Sequence, residues 1–441
     1  MHYEKFQDGT IKCIEDEIPF EVPEGWAWAR LRDICMMSAG KSKSTDQIKS
    51  EPFEESYPCF GGNGVRGYVD EYNQDGIFSI VGRQGALCGN INIAIGKFYA
   101  TEHAVVTTLF DGIDFKWSNY ILEALRLNNY ATGAAQPGLS VANILNVFVP
   151  VPPTQEQDRI GNNVYESLKI VEALEQEKID LQKIIITAKT KILDLAIRGK
   201  LVPQDPNDEP ASVLLERIRT EKEELIKQGK IKRDKKESVI FKGDDNSYYE
   251  KLPDEKINCI DKQLPFELPD GWKWCNLSMI GTTNIGLTYR PADIDTQGII
   301  VLRSCNIVND RINRTDLVRV KTSIRENQFV QKDDILICAR NGSRSLVGKC
   351  ALIPELAEKV SFGAFMAVYR TPYFSYIVHF LRSNFFRSVF DDSNSTAINQ
   401  LTQDMLKRAV VPLPPLAEQL RIVDKITELF ERLNCIEESL N

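Results

Sequence analysis

Tyr3 to Ile34 reads YEKFQDGTIKCIEDEIPFEVPEGWAWARLRDI, and 246 positions later (249 less 3) Tyr249 to Ile280 reads YEKLPDEKINCIDKQLPFELPDGWKWCNLSMI. The identities include Tyr3/Tyr249, Cys13/Cys259, Pro19/Pro265, Phe20/Phe266, Gly25/Gly271, Trp26/Trp272 and Trp28/Trp274. A second duplication follows: VPVPPTQEQDRI around Pro152 and Pro153 returns as VPLPPLAEQLRI around Pro414 and Pro415, offset by 262 (414 less 152). The segments between these matches have diverged. Two equivalent frames holding different inserts suit a molecule that recognises two related but non-identical targets at a fixed distance.

A chain of 441 residues exceeds one ordinary core, and the duplication divides it into two globular units and a connector. Apolar content of 43% with 26% charged residues is that of a soluble globular protein. The polar start MHYEKFQDG and the lack of any apolar run of about 18 residues predict neither a signal peptide nor a membrane span, hence a cytoplasmic location. Ten cysteines without a CxxC pair, among them Cys338 in the apolar run ILICA, are expected to be reduced structural thiols. A net charge of −8 excludes coating nucleic acid by bulk electrostatics. Local charge differs: Gly286 to Cys350 carries eleven Lys/Arg against seven Asp/Glu, whereas Gly40 to His103 carries six against eight.

From Thr154 to Arg198 the pattern turns helical. Thr154 with Gln157 matches a capping box, and Gly199 followed by Pro203 supplies a stop. Apolar residues at Ile160, Val164, Val171, Leu174, Leu181, Ile185, Ala188, Ile192 and Leu195, with Ser167 and Lys178 interrupting, follow the three-and-four spacing of a coiled-coil seam. The final segment repeats this with Ile422, Ile426, Leu429, Leu433, Ile436 and Leu440, in register with the first seam after the 262 shift. A helix of 45 residues rises about 67 Å at about 1.5 Å per residue, so it reads as a spacer.

The expected fold is therefore α+β. Two mixed α/β domains, residues 19–153 and 249–415, are separated by long helices that pair as an antiparallel coiled coil with pseudo-two-fold symmetry. Residues 154–248 form the connector, with a loop LVPQDPNDEP and a short charged helix near Ala211 to Lys227, and residues 416–441 form a second, shorter helix. Residues 1–18 match the end of the connector and are expected to complete the second repeat in space. Nothing in the chain corresponds, in the second repeat, to Asp180 through about Ser247. The basic run Lys227 to Lys236 reads first as a solvated linker and alternatively as a phosphate-contacting segment.

In the first insert the strand-like IFSIV runs into Arg83-Gln84-Gly85, and in the second ILICA runs into Arg340-Asn341-Gly342-Ser343-Arg344. Arginine pairs in bidentate fashion with guanine, Asn or Gln with adenine, and glycine admits close backbone approach. A single such turn reads as an ordinary polar β-turn; its recurrence at matching places sets base reading level with that alternative. Phe60 to Tyr68, with Arg66, forms a glycine-rich loop, and Tyr289-Arg290-Pro291 and Arg303-Ser304 play a similar part in the second insert. The amide- and serine-rich stretches Thr132 to Ser140 and Asp391 to Gln403 are expected to cap the next short helix.

No catalytic constellation emerges. Of three histidines, His103 and His379 read as structural, and no metal-ligand spacing appears. Gly342 to Lys349 has the wrong glycine spacing for a nucleotide loop and Cys350 where Ser or Thr should stand.

The frame FEVPEGWAWARL from Phe20, its copy FELPDGWKWCNL from Phe266, the proline hinge before EQDRI or EQLRI, and RGKLVPQDPNDEPASVLLERI from Arg198 resemble the specificity subunits of type I restriction–modification systems over essentially the whole chain. The resemblance implies a non-catalytic module in which two target recognition domains each read half of a split asymmetric sequence in double-stranded DNA. It implies helices that set the gap and dock two methyltransferase subunits carrying S-adenosylmethionine, with restriction subunits using ATP and magnesium as further partners. This chain itself would hold no cofactor or metal. By analogy, Arg83, Gln84, Arg340, Asn341 and Arg344 are the leading DNA contacts, followed by Arg66, His103, Tyr289, Arg290, Arg303 and Lys349. The rival is a coiled-coil scaffold whose duplicated domains bind proteins.

Overall fold

The computed structural model describes residues 1–133, 137–231, 233, 238–252, 254–391 and 400–440. Most of the basic run beyond Ile231, and residues 134–136 and 392–399 of the two polar stretches, lie outside these. The chain divides into two compact units, Met1–Glu177 and Lys178–Asn441, both built of strands and helices.

The duplicated sequence folds as a duplicated frame that repeats its main contacts. Strand Ala27–Arg30 pairs antiparallel with Phe148–Val151, placing Trp28 opposite Pro150; Lys273–Asn276 pairs likewise with Val410–Leu413, placing Trp274 opposite Pro412. The ring of Phe20 lies 5.0 Å from Trp28, and that of Phe266 lies 5.1 Å from Trp274. The indole Nε1 of Trp26 donates to Glu156 at 3.2 Å, and that of Trp272 donates to Glu418 at 2.9 Å. These bonds tie the opening of each repeat to the first turn of its closing helix, so each insert is held at both ends.

The closing helices are Thr154–Ile197 and Leu416–Ser439. The expected capping box does not form: Thr154 is already helical and its hydroxyl donates to the Gly112 carbonyl at 3.1 Å. Gln157 instead donates from Nε2 to the Pro152 carbonyl at 2.9 Å, and Gln419 donates to Pro414 at 3.0 Å. Both glutamines are about 2% exposed. The stop is as expected, because Gly199 adopts φ +65° while its amide and that of Lys200 bond back to Ala196 and Leu195.

In the first unit the insert is a six-stranded sheet in the order Cys35–Ala39, Ala104–Leu109, Gln74–Gly82, Ile91–Ala100, Tyr57–Gly61, Gly64–Val69. All neighbours are antiparallel except Ile91–Ala100 with Tyr57–Gly61. In the second, a four-stranded sheet runs Thr282–Ile285, Met366–Arg370, Ile335–Cys338, Cys350–Leu352, beside a three-stranded sheet Val318–Val320, Ile294–Leu302, Val360–Phe362. The strand that opens each insert thus pairs with a late strand, which in turn pairs with the strand leading to the Arg turn. Six cysteines are buried; burial pushes the Cys35 thiol up to about 12 and Cys350 to about 11, the behaviour of inert packing groups.

Two expectations are corrected. Residues 1–18 do not complete the second repeat: the hairpin Tyr3–Lys5/Ile11–Cys13 belongs to the first unit, where Glu4 pairs with Arg30 at 2.5 Å and with Arg32 at 3.0 Å. Its copy sits equivalently in the second unit, with Glu250 accepting from Asn276 at 3.3 Å, so the segment follows its own frame in both repeats. The seam is also not buried throughout. Ile160 and Val164 are half-buried in the first unit, and Ile185, Ile422 and Ile426 are buried in the second, with Ile192, Leu429 and Leu433 partly covered. Between them Val171, Leu174 and Leu181 are exposed, as is Ile436. The C-terminal helix is 24 residues against 44, and Lys189 meets Glu437 near its end at 2.7 Å, leaving the middle of the longer helix uncovered.

Candidate nucleic-acid interface

In the first unit the strand Gln74–Gly82 ends against the glycine-rich loop: a Cβ on Gly82 would lie 2.0 Å from the Gly62 carbonyl oxygen, so only glycine permits this approach. Arg83 follows, its amide donating to the His103 carbonyl at 2.9 Å and its carbonyl accepting from the Leu139 amide at 2.8 Å. Gln84 bridges Gly138, and the Gly85 amide donates to the Pro137 carbonyl at 3.0 Å. Both Arg83 and Gln84 side chains are exposed. Arg83 has no ion pair among the described residues, whereas Arg66 donates to the Thr45 hydroxyl at 2.9 Å. His103 Nε2 lies 3.5 Å from Glu102. The loop adds Asn63, whose Oδ1 accepts from Asn90 at 2.8 Å. Arg83, Gln84, His103 and Gly62-Asn63 are therefore brought together, with Arg66 on the adjoining strand.

The second unit repeats the device with different side chains. After strand Ile335–Cys338, the Ala339 and Arg340 amides both donate to the Phe365 carbonyl, at 2.9 and 3.0 Å. The Leu401 amide donates to the Ala339 carbonyl at 2.7 Å, and Arg340 bridges Gln400. The Arg340 guanidinium lies 5.5 Å from the Phe365 ring centroid, and that ring is 61% exposed. Asn341 donates from Nδ2 to Ser304 at 3.2 Å and accepts the Ser343 amide at 3.0 Å, fixing the turn that carries exposed Arg344.

Three of the other candidates also make contacts within the protein. Arg303 donates to the Asp316 carboxylate at 2.8 Å, Lys349 donates to the Ile307 carbonyl at 3.0 Å, and Tyr289 packs on Leu287, Val301 and Val320. Arg290 is exposed, with its Nε 3.7 Å from Asp293. Among the described residues no cluster of His, Cys, Asp or Glu could hold a metal, and no helix is long and apolar enough to cross a membrane.

Sequence reasoning missed Phe365, and it assigned the polar stretches only to capping. Thr402 does cap, accepting from the Met405 amide, but Ser140 makes no such bond. The larger role of residues 137–139 and 400–401 is to pin the Arg turns from the side. Their matching position before each proline hinge was the available signal.

The family model described as type I restriction modification DNA specificity domain matches residues 23–188 and 269–441. The type I restriction enzyme EcoAI specificity subunit of Escherichia coli is 27% identical over 504 residues, covering 98% of this chain and 82% of that one. The EcoprrI specificity subunit, also of Escherichia coli, is 47% identical over 152 residues, covering 34% of this chain and 36% of that one. In fold, the chain is similar to one from a solved type I R-M system (TM-score 0.58, 15% identity, 96% of this chain and 94% of that). It is also similar to the HsdS subunit from Thermoanaerobacter tengcongensis (TM-score 0.51, 15% identity, 96% and 95%).

Proposed function

This chain belongs to the type I restriction modification DNA specificity family, and from that premise we propose how its two modules read a split DNA site. As a specificity subunit it recognises DNA and docks methyltransferase and, where present, restriction subunits; it carries no catalysis of its own. Residues 19–153 and 249–415 act as the two target recognition domains. Arg83 with Gln84 reads one half-site, and Arg340 with Asn341 and Arg344 reads the other, each arginine addressing a guanine edge. The observation that carries this reading is the shared pinning of both Arg turns, Leu139 on Arg83 and Leu401 on Ala339. A turn fixed from two sides presents its side chains without a further ordering cost, which is what base readout needs.

The helices act as the spacer between half-sites and as the dock for two methyltransferase subunits. An antiparallel pairing is supported within the second unit, where Lys189 meets Glu437 while Gln204, further along, meets Glu418 at 3.2 Å. Rising numbers along the end of the long helix and the loop after it meet falling numbers on the C-terminal helix.

The test is to map methylated bases across a genome in cells carrying the partner methyltransferase with and without this chain. A two-part motif with a fixed gap is expected only when the chain is present. Methylation of the same motif without it, or methyl transfer by the isolated chain, overturns the proposal.

A further inference from the structure

The two Arg turns have a second feature in common. In the first unit the Arg83 amide donates to the carbonyl of His103 at 2.9 Å, and in the second the Arg340 amide donates to the carbonyl of Phe365 at 3.0 Å. Each acceptor stands immediately before a strand, Ala104–Leu109 or Met366–Arg370, that pairs with the strand leading to the arginine. A ring thus flanks each arginine from an equivalent place, but the two rings differ in chemistry. His103 is polar and half-buried, with Nε2 3.5 Å from Glu102. The Phe365 side chain is wholly apolar and 61% exposed, more than any other phenylalanine among the described residues.

A solitary exposed ring is ordinary on a protein surface. This one is set apart by its mounting and its neighbour. Among the described residues it belongs to none of the hydrophobic cores of the second unit, yet Phe362 and Met366, on either side of its turn, are buried. The Met366 amide returns to the Gly363 carbonyl at 2.8 Å, and the Gly363 amide donates to the Leu302 carbonyl at 2.9 Å. A Cβ on Gly286 would lie 2.2 Å from the Gly363 carbonyl oxygen. The turn beneath the ring has no room to shift, so the ring is held where it stands, 5.5 Å from the Arg340 guanidinium.

We infer that Phe365 is a specificity-determining residue whose ring takes the 5-methyl group of a thymine in a base pair next to the guanine that Arg340 reads. The inference rests on that reading of Arg340. A guanidinium bonded to a guanine edge lies close to the plane of that base, and successive base pairs are about 3.4 Å apart. A ring centred 5.5 Å from the guanidinium reaches the level of the neighbouring pair. What the major groove offers an apolar group at that level is the thymine methyl, since the other substituents of the base edges donate or accept hydrogen bonds. His103 brings a polar ring to the same place beside Arg83, so the first half-site has no such contact with a phenylalanine.

The test uses the full chain assembled with its methyltransferase partner, and duplexes carrying the two-part motif that methylome mapping returns. The relevant guanine is the one whose replacement weakens binding by the wild type but not by Arg340→Ala. Thymines in the pairs beside it are replaced by deoxyuridine, which pairs identically and lacks only the methyl. Wild type should bind the deoxyuridine duplex about three- to fivefold more weakly, the effect of burying one methyl group. Phe365→Ala should bind both duplexes equally, and the same replacement in the other half-site should affect wild type and Phe365→Ala alike. The wild-type comparison needs no variant, so it stands whatever Phe365→Ala does to the fold. A half-site with no thymine beside that guanine, a wild type indifferent to the methyl, or an equal loss in wild type and Phe365→Ala overturns the inference and leaves guanine reading by Arg340 intact. Arg340→Ala weakening cognate and scrambled duplexes equally would instead remove the reading beneath it, and the inference with it.

Discussion

Arg83 and Arg340 leave their strands at matching points with guanidinium groups that make no ion pair among the described residues, while Arg303 is bound to Asp316. On the proposed reading, that difference separates base contacts from support. Because a good bidentate base contact is worth about 1–3 kcal/mol, Arg83→Ala and Arg340→Ala should each lower affinity for the cognate site by about 5- to 150-fold. Binding of the assembled methyltransferase to cognate and scrambled duplexes checks this; an equal loss on both would mark a phosphate contact instead. Arg303→Ala should leave the sequence preference intact and lower thermal stability only slightly, as a solvent-facing pair contributes about 1 kcal/mol or less. His379 has a different consequence. Its Nδ1 is buried without a hydrogen-bond partner among the described residues, its ring meets Phe430 edge-on, and burial, with Arg382 nearby, lowers its pKa from 6.5 to about 3. The folded state keeps it neutral while the unfolded chain protonates it below pH 6.5, so its contribution is complete above that pH and is lost progressively down to about 3. Denaturant titrations should show the wild type losing stability relative to His379→Phe as pH falls through this window, and parallel curves would refute the burial argument.

Both closing helices begin after a double proline, and what fixes that start is the glutamine in the first turn, not the residue at its head. Gln157 and Gln419 make the same bond to a proline carbonyl although the heads differ, Thr154 in one and Leu416 in the other. Gln419→Ala, which strands a buried carbonyl, should cost about 1–3 kcal/mol, whereas Thr154→Ala should cost under about 0.5 kcal/mol. Urea midpoints of the two variants decide between the glutamine and the capping-box account. The frame was legible in the sequence because duplication displays each contact twice: Trp26 with Glu156 and Trp272 with Glu418 stand out as letters repeated at matching places within the two duplicated stretches. The Arg-amide-Gly turns were legible for the same reason. Their pinning was not, because the bridges Gln84 to Gly138 and Arg340 to Gln400 join positions far apart in sequence and leave no periodic trace. Nor was the exposed middle of the spacer, since a heptad pattern records which residues share a stripe and says nothing of whether a partner reaches them.

A spacer that sets a distance must tolerate a change in its length, and the long helix meets that requirement where it is least engaged. Val171, Leu174 and Leu181 are exposed, so residues inserted among them displace no core, while the buried contacts at Ile185 and beyond and the frame contacts before Val164 remain as they were. Inserting one heptad after Glu172 keeps the helical faces aligned to within about 20° and lengthens the helix by about 10.5 Å. At about 3.4 Å per base pair that is about three base pairs of DNA. If the helix is the ruler, methylome sequencing of cells carrying the insertion should return the same two half-sites with a gap longer by about three base pairs, allowing for the accompanying DNA twist. Each half-site should meanwhile keep its dependence on its own arginine, Arg83 for one and Arg340 for the other, because the two turns belong to different compact units and their effects should add. An unchanged gap with methylation retained would take the ruler away from this helix and leave base reading standing, whereas a lost half-site would show that the insertion had disturbed a module after all.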